Sequence, residues 1–127
     1  MSIVEDLGAG RGPSWLDAWL EDNADAVVGW RRHIHAYPEP HRHEHATTEY
    51  IVNLLRGAGL APKVLPVGTG VICDVGEGSR CVALRADIDA LRLFEVTGLP
   101  FASTVAGVCH ACGHDAHTAA LLGAALA

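Results

Sequence analysis

The chain has 127 residues, half of them apolar and 19% charged, with a formal charge of −6 from nine basic and fifteen acidic side chains. That length favours one domain, and the composition excludes a disordered chain, which combines low hydrophobicity with high net charge. The basic residues are scattered from Arg11 to Arg92 without forming a stripe, and no apolar run approaches the roughly 18 residues of a membrane span, so neither nucleic acid nor membrane is expected as a partner.

Residues 1–13 carry three glycines, one proline and no period, and read as a flexible lead-in. Met1–Asp6 is acidic and has no apolar core of a secretion signal. The expected setting is the cytoplasm, where four cysteines are free or metal-bound rather than disulfide-linked. Ser14 then reads as a helix cap, with Asp17 three residues on. Trp15, Trp19, Val27, Trp30 and Ile34 fall near helical spacing, with a potential break at Asn23, and the helix ends by Tyr37 because Pro38 disfavours a helical residue before it. The three tryptophans read as core or interface packing. A polar turn over 38–43 leads to a second helix from about Glu44 to Arg56, with Tyr50, Ile51, Leu54 and Leu55 as its apolar face and Gly57 and Gly59 ending it.

The period then changes. Lys63–Val67, Gly70–Val75 and Cys81–Asp87 are short, β-branched runs separated by glycine and proline. Gly76–Ser79 reads as the hairpin turn joining the last two. Cys81–Leu84 is continuously apolar, as in a strand covered on both faces, so Cys73 and Cys81 read as small buried hydrophobes. Residues 90–109 read as irregular, and 115–127 as a third helix. Helices and strands in this order give an α/β class. The last helix ends on Ala124–Ala127 with no basic residue in its final turn and no glycine after it, which reads as an element cut in the middle. Its apolar face over 119–127 is then expected to lack packing partners and to drive self-association.

Cys109, His110, Cys112, His114, Asp115 and His117 place two thiols, three imidazoles and a carboxylate within nine residues, just ahead of that helix. Thiolate and imidazole suit zinc and similar divalent ions. Gly113 lets the backbone turn so that Cys112 and His114 can face one point. The partial positive charge of a helix N-terminus favours anions, which Asp115 complements. The pair Cys109-x-x-Cys112 by itself also fits a thiol redox motif. A second candidate is the segment Leu84–Leu91, where Asp87 and Asp89 leave the end of a strand, the usual place for ligand sites in α/β sheets. His41, His43 and His45, preceded by His33 and His35, read as a solvated turn and helix start, because Thr47 stands where a His-Glu-x-x-His zinc motif needs its second histidine.

Three of these stretches carry a family resemblance. Gly107–His117 followed by Ala119–Ala125, the strand-end segment Leu84–Leu91, and Trp30–His35 with Pro38, Glu39, Glu44, Thr47 and Thr48 resemble the dinuclear-metal amidohydrolases, the family of hippurate hydrolase, N-acyl-amino-acid amidohydrolases, aminobenzoyl-glutamate hydrolase and plant auxin-conjugate hydrolases. The match runs in order from about Trp30 to Ala127. The resemblance implies the N-terminal part of a zinc-peptidase-like catalytic domain, helices packed on a mixed sheet, occupying residues 14–127 and truncated. It implies two divalent ions, zinc or manganese, that activate water against the amide of an N-acyl amino acid or related peptide-like substrate. Cys112 and His114 match metal ligands, and Asp89 matches the acidic residue that orients a ligand from behind the site. Asp87 is a weaker candidate, and His110 and His117 match motif positions without being expected ligands.

Two residues depart from the family pattern. Arg92 stands where a proline is usual and Cys109 where a methionine is. The family's general base, a further glutamate ligand and two histidine ligands match nothing here. The chain alone is therefore expected to be inactive. A non-enzymatic metal-binding or interaction module and a small Cys-x-x-Cys redox protein are the alternatives.

Overall fold

The computed structural model describes residues 13–127, so the lead-in expected over 1–13 lies almost wholly outside the described residues. Three helices and one small hairpin follow: α1 (Ser14–Ala36), α2 (His45–Gly57), β1 (Lys63–Val64), β2 (Val71–Ile72) and α3 (His114–Leu126).

Helix α1 runs unbroken through Asn23, whose side-chain amide donates to the Trp19 carbonyl at 2.8 Å. It begins at Ser14 with Pro13 in the cap position, so the capping box expected from Ser14 and Asp17 does not form. Proline suits a helix start, since its missing N–H would have no helical partner there. The helix stops at Ala36, ahead of Pro38, as the sequence requires.

Helix α2 ends in a Schellman motif. Gly59 takes φ +81°, its N–H donates to the Arg56 carbonyl at 2.9 Å, and the Leu60 N–H reaches the Leu55 carbonyl at 3.0 Å. Only a residue without a Cβ adopts that φ freely, and the reversal folds Leu60 back onto the helix. At the other end of α2, Glu39 supplies the cap from outside the helix. Its carboxylate accepts from the Ala46 N–H at 3.0 Å, and from the Thr47 N–H and hydroxyl at 2.6 and 2.7 Å.

The hairpin is antiparallel, with Lys63 opposite Ile72 and Val64 opposite Val71. Its connection spans residues 65–70 and is closed by the Leu65 N–H on the Gly70 carbonyl at 3.0 Å. The Thr48 hydroxyl ties it to α2, accepting from the Gly70 N–H at 2.9 Å. The turn expected at Gly76–Ser79 joins no strands, and Cys81–Asp87 forms no strand. Val82 is 87% and Leu84 71% exposed, Cys81 is exposed and Cys73 half-buried, so the two-faced burial expected of this run is not met. A strand needs backbone partners alongside, and an apolar run does not carry them with it.

The core joins all three helices. Ile51 and Leu55 of α2 meet Leu122 of α3, with Trp30 of α1, Val71 of β2, Leu60 and Ile88 packed around them. Helix α3 lies against α1 with Gly123 as a close-approach point, where a Cβ would stand 3.8 Å from Val27 and 3.9 Å from Trp19. Ala119, Leu122 and Gly123 are buried, so the face of α3 expected to be bare is covered along these positions. The most exposed large apolar side chains among the described residues lie elsewhere and include Val67, Val82, Leu84, Phe94 and Val96. Trp15 is exposed, while Trp19 and Trp30 are half-buried against the neighbouring helix and the core. No helix among the described residues is long and apolar enough to cross a membrane.

Candidate metal centre

Two backbone bridges anchor the second candidate segment, one to the turn after α1 and one to the start of the first candidate segment. Ala90 donates its N–H to the Glu39 carbonyl at 2.8 Å, and Leu91 and Cys109 exchange both backbone bonds at 2.9 Å. Residue 89 is thereby held beside the loop that opens α3. Gly113 caps that helix at φ +86°, ψ 14°, with no side chain capping the first turn. A Cβ there would meet nothing within 4 Å, so glycine is required by the left-handed backbone and not by space.

At this junction the Nδ1 of His114 lies 2.9 Å from the Asp89 carbonyl oxygen and 3.0 Å from its Oδ1. A carbonyl oxygen can only accept, so Nδ1 carries the proton and the Nε2 lone pair is left for an electrophile. A histidine backed by carbonyl and carboxylate oxygens in this way is fixed in tautomer and ring orientation. Cys112 is exposed on the other side of Gly113. The donor chemistry therefore fits a divalent ion, but its number does not complete a shell: among the described residues no group of three or more His, Cys, Asp and Glu side chains is placed to hold one.

The remaining candidates separate. The Asp87 side chain is exposed and tied to Arg85 at 2.7 and 3.0 Å, and that hydrogen bond is the main cause holding its carboxyl below the usual range. Its backbone oxygen, not its carboxylate, meets α3, through the Thr118 hydroxyl at 3.1 Å. His117 is exposed, its ring centroid 6.3 Å from that of His114. His110 is buried, and burial lowers its basicity. Neither of its ring nitrogens has a hydrogen-bond partner among the described residues. Cys109 is also buried, whereas Cys112 is exposed. His41, His43 and His45 are exposed, in agreement with a solvated turn.

Sequence reasoning missed a buried ionic network behind the candidate ligands. Asp115, fully buried in the first turn of α3, accepts from the Arg31 Nε at 2.8 Å, and its Oδ2 lies 2.7 Å from the His35 Nδ1. The other ring nitrogen of His35 faces Glu95 Oε1 at 2.9 Å. Glu95 also accepts from the Thr97 hydroxyl and the Ser103 N–H, both at 2.6 Å. Hydrogen bonds from Thr97, His35 and Ser103, in that order, pull its carboxyl down to about 2. The signal for His35 was its place one residue after Ile34 on the inward face of α1. Glu95 lies in a loop without a motif and offered none.

The family model described as peptidase family M20/M25/M40 matches residues 83–127, which include Asp89, Cys112 and His114. The chain is 50% identical over 121 residues to a putative glutamate–cysteine ligase 2-3 of Rhodococcus jostii, covering 94% of this chain and 15% of that protein. It is 50% identical over 101 residues to an N-acetyl-L-cysteine deacetylase of Bacillus subtilis, covering 78% of this chain and 24% of that protein. Its backbone superposes on a Bacillus subtilis dinuclear metal binding peptidase of the M20 family with a TM-score of 0.78 at 40% identity, over 84% of this chain and 30% of that one. The chain thus spans about a quarter or less of the length of the curated relatives quoted. In sequence and backbone this chain is similar to the M20/M25/M40 peptidases over a segment of them.

Proposed function

We propose that residues 14–127 form part of the catalytic domain of a metal-dependent amidohydrolase, and that the chain contributes one corner of its metal centre through Cys112 and His114. The observation that carries this reading is the seating of His114 Nδ1 on the carbonyl and carboxylate of Asp89, which leaves Nε2 as the ligating nitrogen, two residues after the exposed thiol of Cys112. Asp89 acts as the orienting residue. The substrate class is an N-acyl amino acid or a related peptide-like amide. N-acetyl-L-cysteine comes first among substrates to try, given the name of the Bacillus subtilis relative. A pair of zinc or manganese ions would supply an acidified water and polarise the amide carbonyl. Glu95 is a poor base for that water, because all its hydrogen bonds favour the charged carboxylate. Base and remaining ligands come from outside these 127 residues, so the chain alone is expected to show no turnover of N-acetyl-amino acids or hippurate. Free thiols suit a reducing, cytoplasmic setting. The exposed apolar segment around Val82, Leu84, Phe94 and Val96 favours self-association or a completing partner.

The test is zinc uptake by equilibrium dialysis. Two protein donors leave most of a tetrahedral shell to water, so binding is weak, and Cys112→Ser should lower it. His43→Ala, at an exposed histidine outside the candidate ligand set, should not. Equal uptake by both variants would place the metal elsewhere. Amide turnover by the chain alone that Cys112→Ala abolishes would show a complete site.

A further inference from the structure

His35 presents an accounting problem whose solution assigns it a role. Its side chain is 8% exposed, and each ring nitrogen faces a carboxylate oxygen, Asp115 Oδ2 at 2.7 Å and Glu95 Oε1 at 2.9 Å. Ionised carboxylates only accept, and a neutral imidazole has a single N–H to give. Both contacts are hydrogen bonds only if the ring carries two protons or one acid is protonated. Glu95 already accepts from the Thr97 hydroxyl and the Ser103 N–H, and Asp115 from the Arg31 guanidinium. The proton therefore belongs to the ring.

We propose that His35, as a doubly protonated ring, is a positioning residue that straps helix α1 and the 94–105 loop to the first turn of α3 and so holds His114 on Asp89. The strap has three anchors. Asp115 directly follows His114 and is fully buried, so its tether to α1 fixes where α3 begins. Glu95 holds the loop from within through Thr97 and Ser103. Thr104 fastens the same loop to the end of α1, its N–H and hydroxyl reaching the Ala36 carbonyl at 2.9 and 2.7 Å. The charged groups facing His35 are Arg31 from α1, Asp115 from α3 and Glu95 from the loop, with the His110 ring centroid 6.4 Å away and Phe101 packed edge-on at 5.5 Å. Two carboxylates thus bracket the ring, and Arg31 shares one of them.

This inference rests on the metal reading only for its consequence on affinity, and two measurements keep them apart. A long-range proton–nitrogen NMR correlation on the labelled full chain at neutral pH should show both ring nitrogens of His35 protonated and His114 as a single Nδ1–H tautomer. In His35→Gln the His114 ring should lose that single-tautomer pattern, and zinc affinity should fall about 10- to 100-fold, as when a ligand's supporting partner is removed. If His35→Gln does not fold, Glu95→Gln, which keeps the Arg31–Asp115 bond but removes the carboxylate facing the second ring nitrogen, should loosen His114 in the same way. A His35 ring with one proton overturns the proposal, and so does an undisturbed His114 in a folded variant. Wild-type protein that takes up no zinc refutes the metal reading instead, and the two ring signatures then decide on His35 alone.

Discussion

Replacing Asp115 by asparagine tests the buried network most directly. The change keeps the shape of the side chain and one acceptor oxygen. It removes the charge on which Arg31 and His35 converge at 2.8 and 2.7 Å. Hydrogen bonds to charged groups contribute about 1.5–3 kcal/mol each. The Arg31 side chain is 36% exposed and can turn to water, so its share belongs at the low end, whereas the buried His35 ring has no such recourse. Favourable placement of a carboxylate in the first turn of α3 adds about 0.3–1 kcal/mol. Relief from burying a charge works the other way. Even so, removing one member of a buried pair typically costs about 3–5 kcal/mol, because the partner stays behind uncompensated. Since asparagine retains an acceptor, we expect a loss of about 3 kcal/mol, against about 4 kcal/mol for Asp115→Ala. That is a large part of the roughly 5–15 kcal/mol stability of a small domain. In urea, with a slope near 2 kcal/mol per molar, the midpoint should fall by about 1.5 M. A shift corresponding to less than about 1 kcal/mol would mean that the network offsets only its own desolvation and does not tie α3 to α1.

Two other predictions follow from hydrogen bonds outside the metal corner. Glu39→Ala removes the acceptor for three donors at the start of α2, so we expect a loss of about 1–2 kcal/mol, as for a deleted helix cap, and a thermal midpoint within error of wild type would contradict the capping role. Glu95, held at about 2 against an ordinary 4.5, stays charged in the folded protein at acidities where the unfolded chain has taken up a proton. Its contribution is complete above about 4.5 and fades as the pH falls toward 2, so Glu95→Gln should flatten the stability–pH curve in that window, and an unaltered slope would refute the assignment.

Much of the local structure was legible in the sequence because its causes are local. Pro38 stops α1, Gly59 reverses the chain after α2, and Gly113 supplies the one backbone geometry that sets Cys112 and His114 on either side of a helix start. The candidate residues of the corner could likewise be named from motif and spacing. Spacing alone did not decide which carboxylate reaches which imidazole, and only the family resemblance favoured Asp89 over Asp87. Asp87 and Asp89 differ by two positions, yet one faces Arg85 in solvent and the other meets His114, because the bridges at Ala90 and Leu91 fix only one of them against the loop before α3. The run Cys81–Asp87 failed as a strand for the complementary reason: apolar patterning states a preference for burial, but burial and pairing come from another segment, and no strand pairs with it among the described residues. His35, Glu95 and Asp115 lie 60 and 80 positions from one another across their two contacts, so no window along the chain could relate them. Only the packing of α1 against α3 brings an imidazole, a guanidinium and two carboxylates into one desolvated place, where each charge is tolerated only because the others are there.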